Sequence, residues 1–134
     1  MIRAVLDPGV LIAALISPQG APADLLLLWL DGAFELVASP KLLTELRDVL
    51  SRPKFQKYVS AEEVSAYLVI LERLAIVVRD PAEVSVRTSD PKDDYLFALA
   101  TSASAAVLVS GDTHILETGD EIVMTPREFL IRIA

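Results

Sequence analysis

The sequence predicts an α/β fold, a three-layer α/β/α sandwich around a mostly parallel central sheet of about five strands. Two observations carry this expectation. Short apolar runs of strand length alternate with longer segments of helical periodicity, the pattern of a parallel sheet covered on both faces. The runs are continuously apolar rather than alternating, as strands buried on both sides require.

The elements follow in order. Residues 2–6 read as a buried strand. Val10 to Ile16 is helical and is broken by Ser17-Pro18-Gln19-Gly20. Pro22 suits the first turn of a helix running to about Leu30 and stopping near Gly32. Phe34 to Ala38 is the second strand. Ser39 is a ready N-cap, with Pro40 in the first helical position. The helix they open carries Leu42, Leu43, Leu46, Val49 and Leu50 at 3.6-residue spacing and ends at Arg52-Pro53. Ser60-Ala61-Glu62-Glu63 is a capping box for a helix through about Leu74. Ala75 to Val78 is the third strand, and the polar residues 80–90, with Pro81, form a loop. Asp90-Pro91 opens a helix to about Ser104. Ala106 to Val109 and Glu121 to Met124 are the last strands, and Thr125-Pro126 starts a final helix.

A chain of 134 residues with 53% apolar content suits one domain, residues 1–134, around one core. No apolar run reaches the roughly 18 residues of a membrane span. No leader pattern precedes the first strand. The expectation is therefore a cytoplasmic protein without membrane contact. There are no cysteines and the only histidine is His114, so disulfides, thiolate zinc sites and multi-histidine sites are excluded. A metal would be held mainly by oxygen, which favours Mg²⁺ or Mn²⁺. The formal charge of −7 argues against gripping nucleic acid by bulk electrostatics alone. One local basic cluster exists, Arg47, Arg52, Lys54 and Lys57, for which a solvated helix end is the plain alternative.

The acids carry the functional signal. Asp7 ends the first apolar run and Asp112 follows the fourth. Glu45 lies at the border of an apolar helix face, and Asp93-Asp94 opens another helix. Each has an ordinary explanation. Asp7 can cap a helix, Glu45 can sit at the surface, Asp93 and Asp94 can favour a helix dipole, and Asp112 can occupy a turn. As a set they mean more, because acids at the carboxyl ends of parallel strands converge on one crevice. Carboxylates gathered there repel each other, and a divalent cation relieves the repulsion. Phosphodiester hydrolysis needs a nucleophilic water and a counter-charge for phosphate. One or two Mg²⁺ ions, about 4 Å apart when paired, supply both.

These residues resemble a known family. Ala4-Val5-Leu6-Asp7-Pro8-Gly9-Val10-Leu11 looks like the opening of a PIN domain, and Ser39-Pro40-Lys41-Leu42-Leu43-Thr44-Glu45-Leu46 like its second motif. Asp90-Pro91-Lys92-Asp93-Asp94-Tyr95-Leu96 resembles the third motif, and Leu108-Val109-Ser110-Gly111-Asp112 the fourth. Their order and spacing match over essentially the whole chain. The resemblance is to the small prokaryotic toxins of VapBC-type toxin–antitoxin pairs. It implies a Mg²⁺- or Mn²⁺-dependent ribonuclease, often a homodimer, blocked by a cognate antitoxin. It implies metal ligands Asp7, Glu45, Asp93 and Asp112. Asp93 is preferred to Asp94 because Leu96, Ala98 and Ala100 then fall at the family's offsets. Ser110 takes a hydroxyl position supporting the fourth acid, and Asp94 a place behind the ligands. Lys92, Arg47 and Arg52 are the residues expected to position the RNA backbone without reading sequence.

Two positions depart from the family's pattern. Asp7-Pro8-Gly9 replaces Asp-Thr-Asn or a similar triplet, removing polar groups from the site; loss of such support commonly lowers metal affinity. His114 stands where a further acid often appears, and a structural role is expected for it.

Other classes fit less well. Phosphatases with an Asp-x-Asp nucleophile need an acid where Gly9 stands, and response-regulator receivers need a Lys after the last strand, where Met124-Thr125-Pro126 offers none. The main alternative is a catalytically weak PIN-like domain acting as a protein- or RNA-binding module. Exposure of Leu28 or Trp29, in a helix too apolar to bury every side, would mark an interface.

Overall fold

The computed structural model describes all 134 residues. Its strands are β1 (Arg3–Leu6), β2 (Glu35–Ala38), β3 (Ile76–Val77), β4 (Val107–Val109) and β5 (Val123–Met124). They form one sheet in the order β3-β2-β1-β4-β5, with every pairing parallel. The sheet is therefore wholly parallel rather than mostly so. The chain builds outward from β1 to β2 and β3, then returns to the other side of β1 for β4 and β5. That reversal places a topological switch point between β1 and β4, where ligands of open α/β sheets bind at the carboxyl edge.

The helices are α1 (Pro8–Ile16), α2 (Ala21–Leu30), α3 (Pro40–Leu50), α4 (Pro53–Gln56), α5 (Ala61–Leu74), α6 (Pro91–Ser102), α7 (Thr113–Leu116) and α8 (Pro126–Ile133). α1 packs on α2 and α3, and α3 on α5, while α6 packs against β1 and β4. The phenol of Tyr67 in α5 donates to the Leu11 carbonyl of α1 at 2.9 Å, tying two helices of one layer together. Its burial pushes the Tyr67 pKa up.

Several helix starts obey the sequence signals. Ser39 accepts from the Leu42 N–H, and both Ser60 with Glu63 and Thr125 with Glu128 close capping boxes. The first helix begins earlier than its periodicity indicates, because Asp7 caps it and Pro8 takes the first position. The sixth ends at Ser102 rather than Ser104, since Ser104 turns left-handed at φ 55° to redirect the chain. Two one-turn helices, α4 and α7, are too short to show a period in sequence. The third strand is limited to two residues at the sheet's edge.

One cluster of 31 buried apolar residues fills the interior. Ala4, Val5 and Leu6 of β1 and Val107, Leu108 and Val109 of β4 are at most 1% exposed, as central parallel strands demand. Phe34 and Phe129 meet edge to face at 5.1 Å and close the core against α8. Trp29 belongs to this core, while Leu27 and Leu30 are the exposed apolar residues of α2. No single helix is long and apolar enough to cross a membrane.

Candidate active site

A cleft of about 1070 Å³ opens at the carboxyl edge of the sheet. Asp7, Glu45, Asp93 and Asp112 all line it, although 105 positions separate the first from the last. Each arrives by a local rule. Asp7 and Asp112 follow β1 and β4 and cap the helices that come next. Glu45 lies in the second turn of α3, and Asp93 in the first turn of α6.

Asp7 is 5% exposed. Its Oδ1 accepts from the Val10 N–H at 2.8 Å, and its Oδ2 accepts from the Ser110 hydroxyl. Burial outweighs these bonds and pushes its pKa up, with the charge of Asp112 adding to the rise. Ser110 is fully buried; its oxygen also accepts the Asp112 N–H at 2.9 Å. One hydroxyl thereby links the acids that flank the switch point. A Cβ on Gly9 would stand 3.2 Å from Asp7 Oδ1, so the absence of a side chain there leaves room for that carboxylate.

Asp93 is the least satisfied member. Its Oδ2 is buried and has no hydrogen-bond partner. Burial, then the charges of Asp112, Asp90 and Asp7, push its pKa up to about 6. Glu45 is instead held by the Tyr95 hydroxyl at 3.0 Å. Burial and the nearby Glu45 push the Tyr95 pKa up, and Lys41 Nζ lies 4.4 Å from the centre of its ring. No three of the acidic and histidine side chains stand close enough together to enclose an ion in this arrangement.

The supporting residues divide. Arg52 and Lys92 line the cleft. Arg47, also expected at the substrate backbone, does not: its guanidinium lies 3.7 Å from Glu72 of α5. Asp94 is also absent from the cleft wall. Its Oδ1 accepts from the N–H groups of Arg87 and Thr88 and from the Thr88 hydroxyl. Burial opposes its ionisation, but these bonds win and hold its pKa below the usual carboxylate range. Asp94 thus braces the loop before α6 instead of backing the cleft acids. His114 is exposed, with Nδ1 2.6 Å from the Ser89 hydroxyl, joining α7 to the same loop.

The structure adds three residues. Asp80, three positions beyond β3, lines the cleft, takes the Lys41 N–H at 3.0 Å and leaves Oδ1 buried without a partner. It occupies a strand-end position like those of Asp7 and Asp112, a signal hidden by its place in a polar loop. Lys41, also on the cleft wall, follows the N-terminal Pro of α3. Tyr95 follows Asp94 in the third motif, and only its hydroxyl partner ties it to Glu45.

Comparisons agree with this architecture. The uncharacterized protein MJ1680 of Methanocaldococcus jannaschii is 27% identical over 141 residues, covering 96% of this chain and 90% of that protein. The crystal structure of PAE2754 from Pyrobaculum aerophilum superposes with a TM-score of 0.69 at 18% identity, over 98% of this chain and 89% of that one. VapBC2 from Rickettsia felis, solved bound to a DNA fragment from its promoter, has a TM-score of 0.65 at 14% identity, over 92% of this chain and 98% of its own. Both structures share the fold. Residues 3–114, which carry all four acids of the cleft, match the PIN domain family, and the chain belongs to that family.

Proposed function

We propose that the protein is a Mg²⁺- or Mn²⁺-dependent endoribonuclease, the toxin of a type II toxin–antitoxin pair. The observation that carries the reading is Asp93 Oδ2, buried and unpartnered in a cleft that Asp7, Glu45 and Asp112 also line. The charges of Asp112 and Asp7 raise the pKa of Asp93 beside the effect of burial, and a cation would relieve that repulsion. The oxygen-only donor set fits a hard divalent ion. Asp7, Glu45, Asp93 and Asp112 are the residues that would hold it. Such an ion lowers the pKa of water and offsets phosphate charge. Ser110 orients Asp7 through its hydroxyl and receives the Asp112 N–H, which fixes two of the acids relative to each other. Tyr95 keeps Glu45 turned by its hydrogen bond. Lys92 and Arg52, on the cleft wall, provide cations for the phosphates of the chain being cut.

Membership in the PIN family and a fold shared with a VapBC structure support an antitoxin as partner, and a homodimer is the assembly proposed with it. A second reading has one observation in its favour. Glu45 is already engaged by Tyr95, and no three acids converge as they stand, which suits a domain that binds RNA or protein without turnover.

Cleavage of a mixed structured-RNA pool separates the two. The nuclease reading expects cutting with Mn²⁺ or Mg²⁺, none with EDTA, and none by Asp93→Asn. Metal binding by calorimetry without cleavage would favour the binding module. Unchanged cutting by Asp93→Asn would remove the assigned site.

A further inference from the structure

We propose that the segment Arg52–Tyr58, built on α4, is a docking platform for single-stranded RNA that extends the cleft. The proposal rests on the nuclease reading for its choice of ligand. Between Asp48 and Glu62 the chain has no acid, yet it carries Arg52, Lys54 and Lys57. In a protein of net charge −7 this is a local reversal of sign. None of the three cations forms an ion pair; the pairs present are Arg3–Glu35, Arg47–Glu72 and Arg87–Asp120. All three are exposed, and so free to meet phosphate.

Directly after Lys57 stands Tyr58, 62% exposed, its ring open to a stacking partner. Lys57 continues the α4 turn in helical conformation, and Lys57 and Tyr58 follow Lys54 by three and four positions, each one turn on from it. The segment is firmly seated. Leu50 before it and Val59 within its exit are buried, and the Phe55 carbonyl accepts from the N–H groups of Tyr58 and Val59 at 2.9 and 3.0 Å. Phe55, half-buried, has Lys54 Nζ 5.0 Å from its ring centre. An exposed ring next to cations that hold no ion pair is the arrangement on which an unpaired base stacks while its phosphates are neutralised. A duplex offers no free base face to Tyr58, which selects the single strand. Continuity supplies the direction, since Arg52 at the other end of the segment lines the cleft. Six residues at helical rise span about 9 Å, a reach of only a few nucleotides.

The test compares two substrates with the full-length protein and Mn²⁺. One is a twelve-nucleotide single-stranded RNA, and the other is bis(p-nitrophenyl) phosphate, too small to touch both cleft and platform. Tyr58→Ala is expected to raise KM for the RNA about tenfold, with kcat kept. Tyr58→Phe, which retains the ring, should restore it. The pair Lys54→Gln with Lys57→Gln should lower the salt slope of RNA binding by about 1.4. The ratio of RNA to small-substrate kcat/KM should fall in Tyr58→Ala and in the lysine pair. An unchanged ratio in both overturns the platform. If the wild-type protein cuts neither substrate, the nuclease reading fails on its own. The platform is then read by fluorescence anisotropy of the same labelled RNA, where equal affinity of wild type and variants overturns it. Binding of an acidic peptide at the segment with RNA affinity untouched overturns it as well.

Discussion

At the amino edge of the sheet, Arg3 of β1 meets Glu35 of β2 at 3.3 Å and donates to the Ala103 carbonyl at 3.1 Å. At the carboxyl edge of the same strand, Asp7 faces the charge of Asp112 with a hydroxyl and an amide for partners and no cation in contact. The same contrast recurs within one helical turn. Asp94 is satisfied by backbone and hydroxyl donors and has a lowered pKa, while its neighbour Asp93 has an orphaned oxygen and a raised one. Folding thus neutralises charge where it serves only structure and leaves it strained in the cleft. Strain of that kind persists at functional sites because the surrounding packing enforces it.

Asp93→Asn should have the largest effect. If the orphaned acid serves catalysis, cleavage should fall by at least about 100-fold, beyond the loss typical of residues that only support a ligand. Stability without metal should move the other way. Asp93 has a folded pKa of about 6 against an ordinary value of 3.8. Between those values the folded state keeps a proton that the unfolded chain has released, so stability falls as pH rises through the window. Asp7, also raised, contributes with the same sign. Urea titrations at pH 4.5 and 7 should therefore show the wild type losing stability at the higher pH. Asp93→Asn should recover about 1 kcal/mol of it, most of the nominal repulsion being screened by solvent. Saturating Mn²⁺ should reverse the loss in the wild type alone.

Ser110→Ala comes next. It leaves Asp7 Oδ2 without its hydroxyl donor and the Asp112 N–H without an acceptor in a fully buried place. A loss of about 1–3 kcal/mol in urea denaturation is expected, with weaker metal binding by calorimetry. Asp94→Asn, one position from the stabilising change, should destabilise by about 1–2 kcal/mol because its three donors lose a charged acceptor. Equal effects of Asp93→Asn and Asp94→Asn on stability would erase the distinction between the two acids. Glu35→Gln at the amino edge should cost least, at most about 1 kcal/mol and less in high salt, since both partners are partly exposed.

Much of the fold is legible in local chemistry. The apolar runs of β1, β2 and β4 announce buried parallel strands, and Ser39-Pro40, the Ser60 box and Thr125-Pro126 announce helix starts. The elements missed are α4 and α7, because one turn is shorter than any hydrophobic period. The four acids are also visible in sequence, since a strand-end acid and a helix-start acid each have a recognisable local place. What those places cannot reveal is partnership. Arg47 and Arg52 are five residues apart in one basic cluster, yet one turns to Glu72 and the other to the cleft. Asp93 and Asp94 are adjacent, yet helical rotation aims one at the cleft and the other at the Arg87–Thr88 backbone. Asp80 and Tyr95 are far from Glu45 in sequence, and only the fold brings the Tyr95 hydroxyl to Glu45 and the charge of Asp80 near that phenol. Composition, capping and periodicity act over a few residues, so the alternation of strands and helices and the local places of the four acids are written in the chain itself. Which acids are satisfied, which cations face the cleft and which pKa values rise depend on contacts across dozens of residues, and only the tertiary structure decided them.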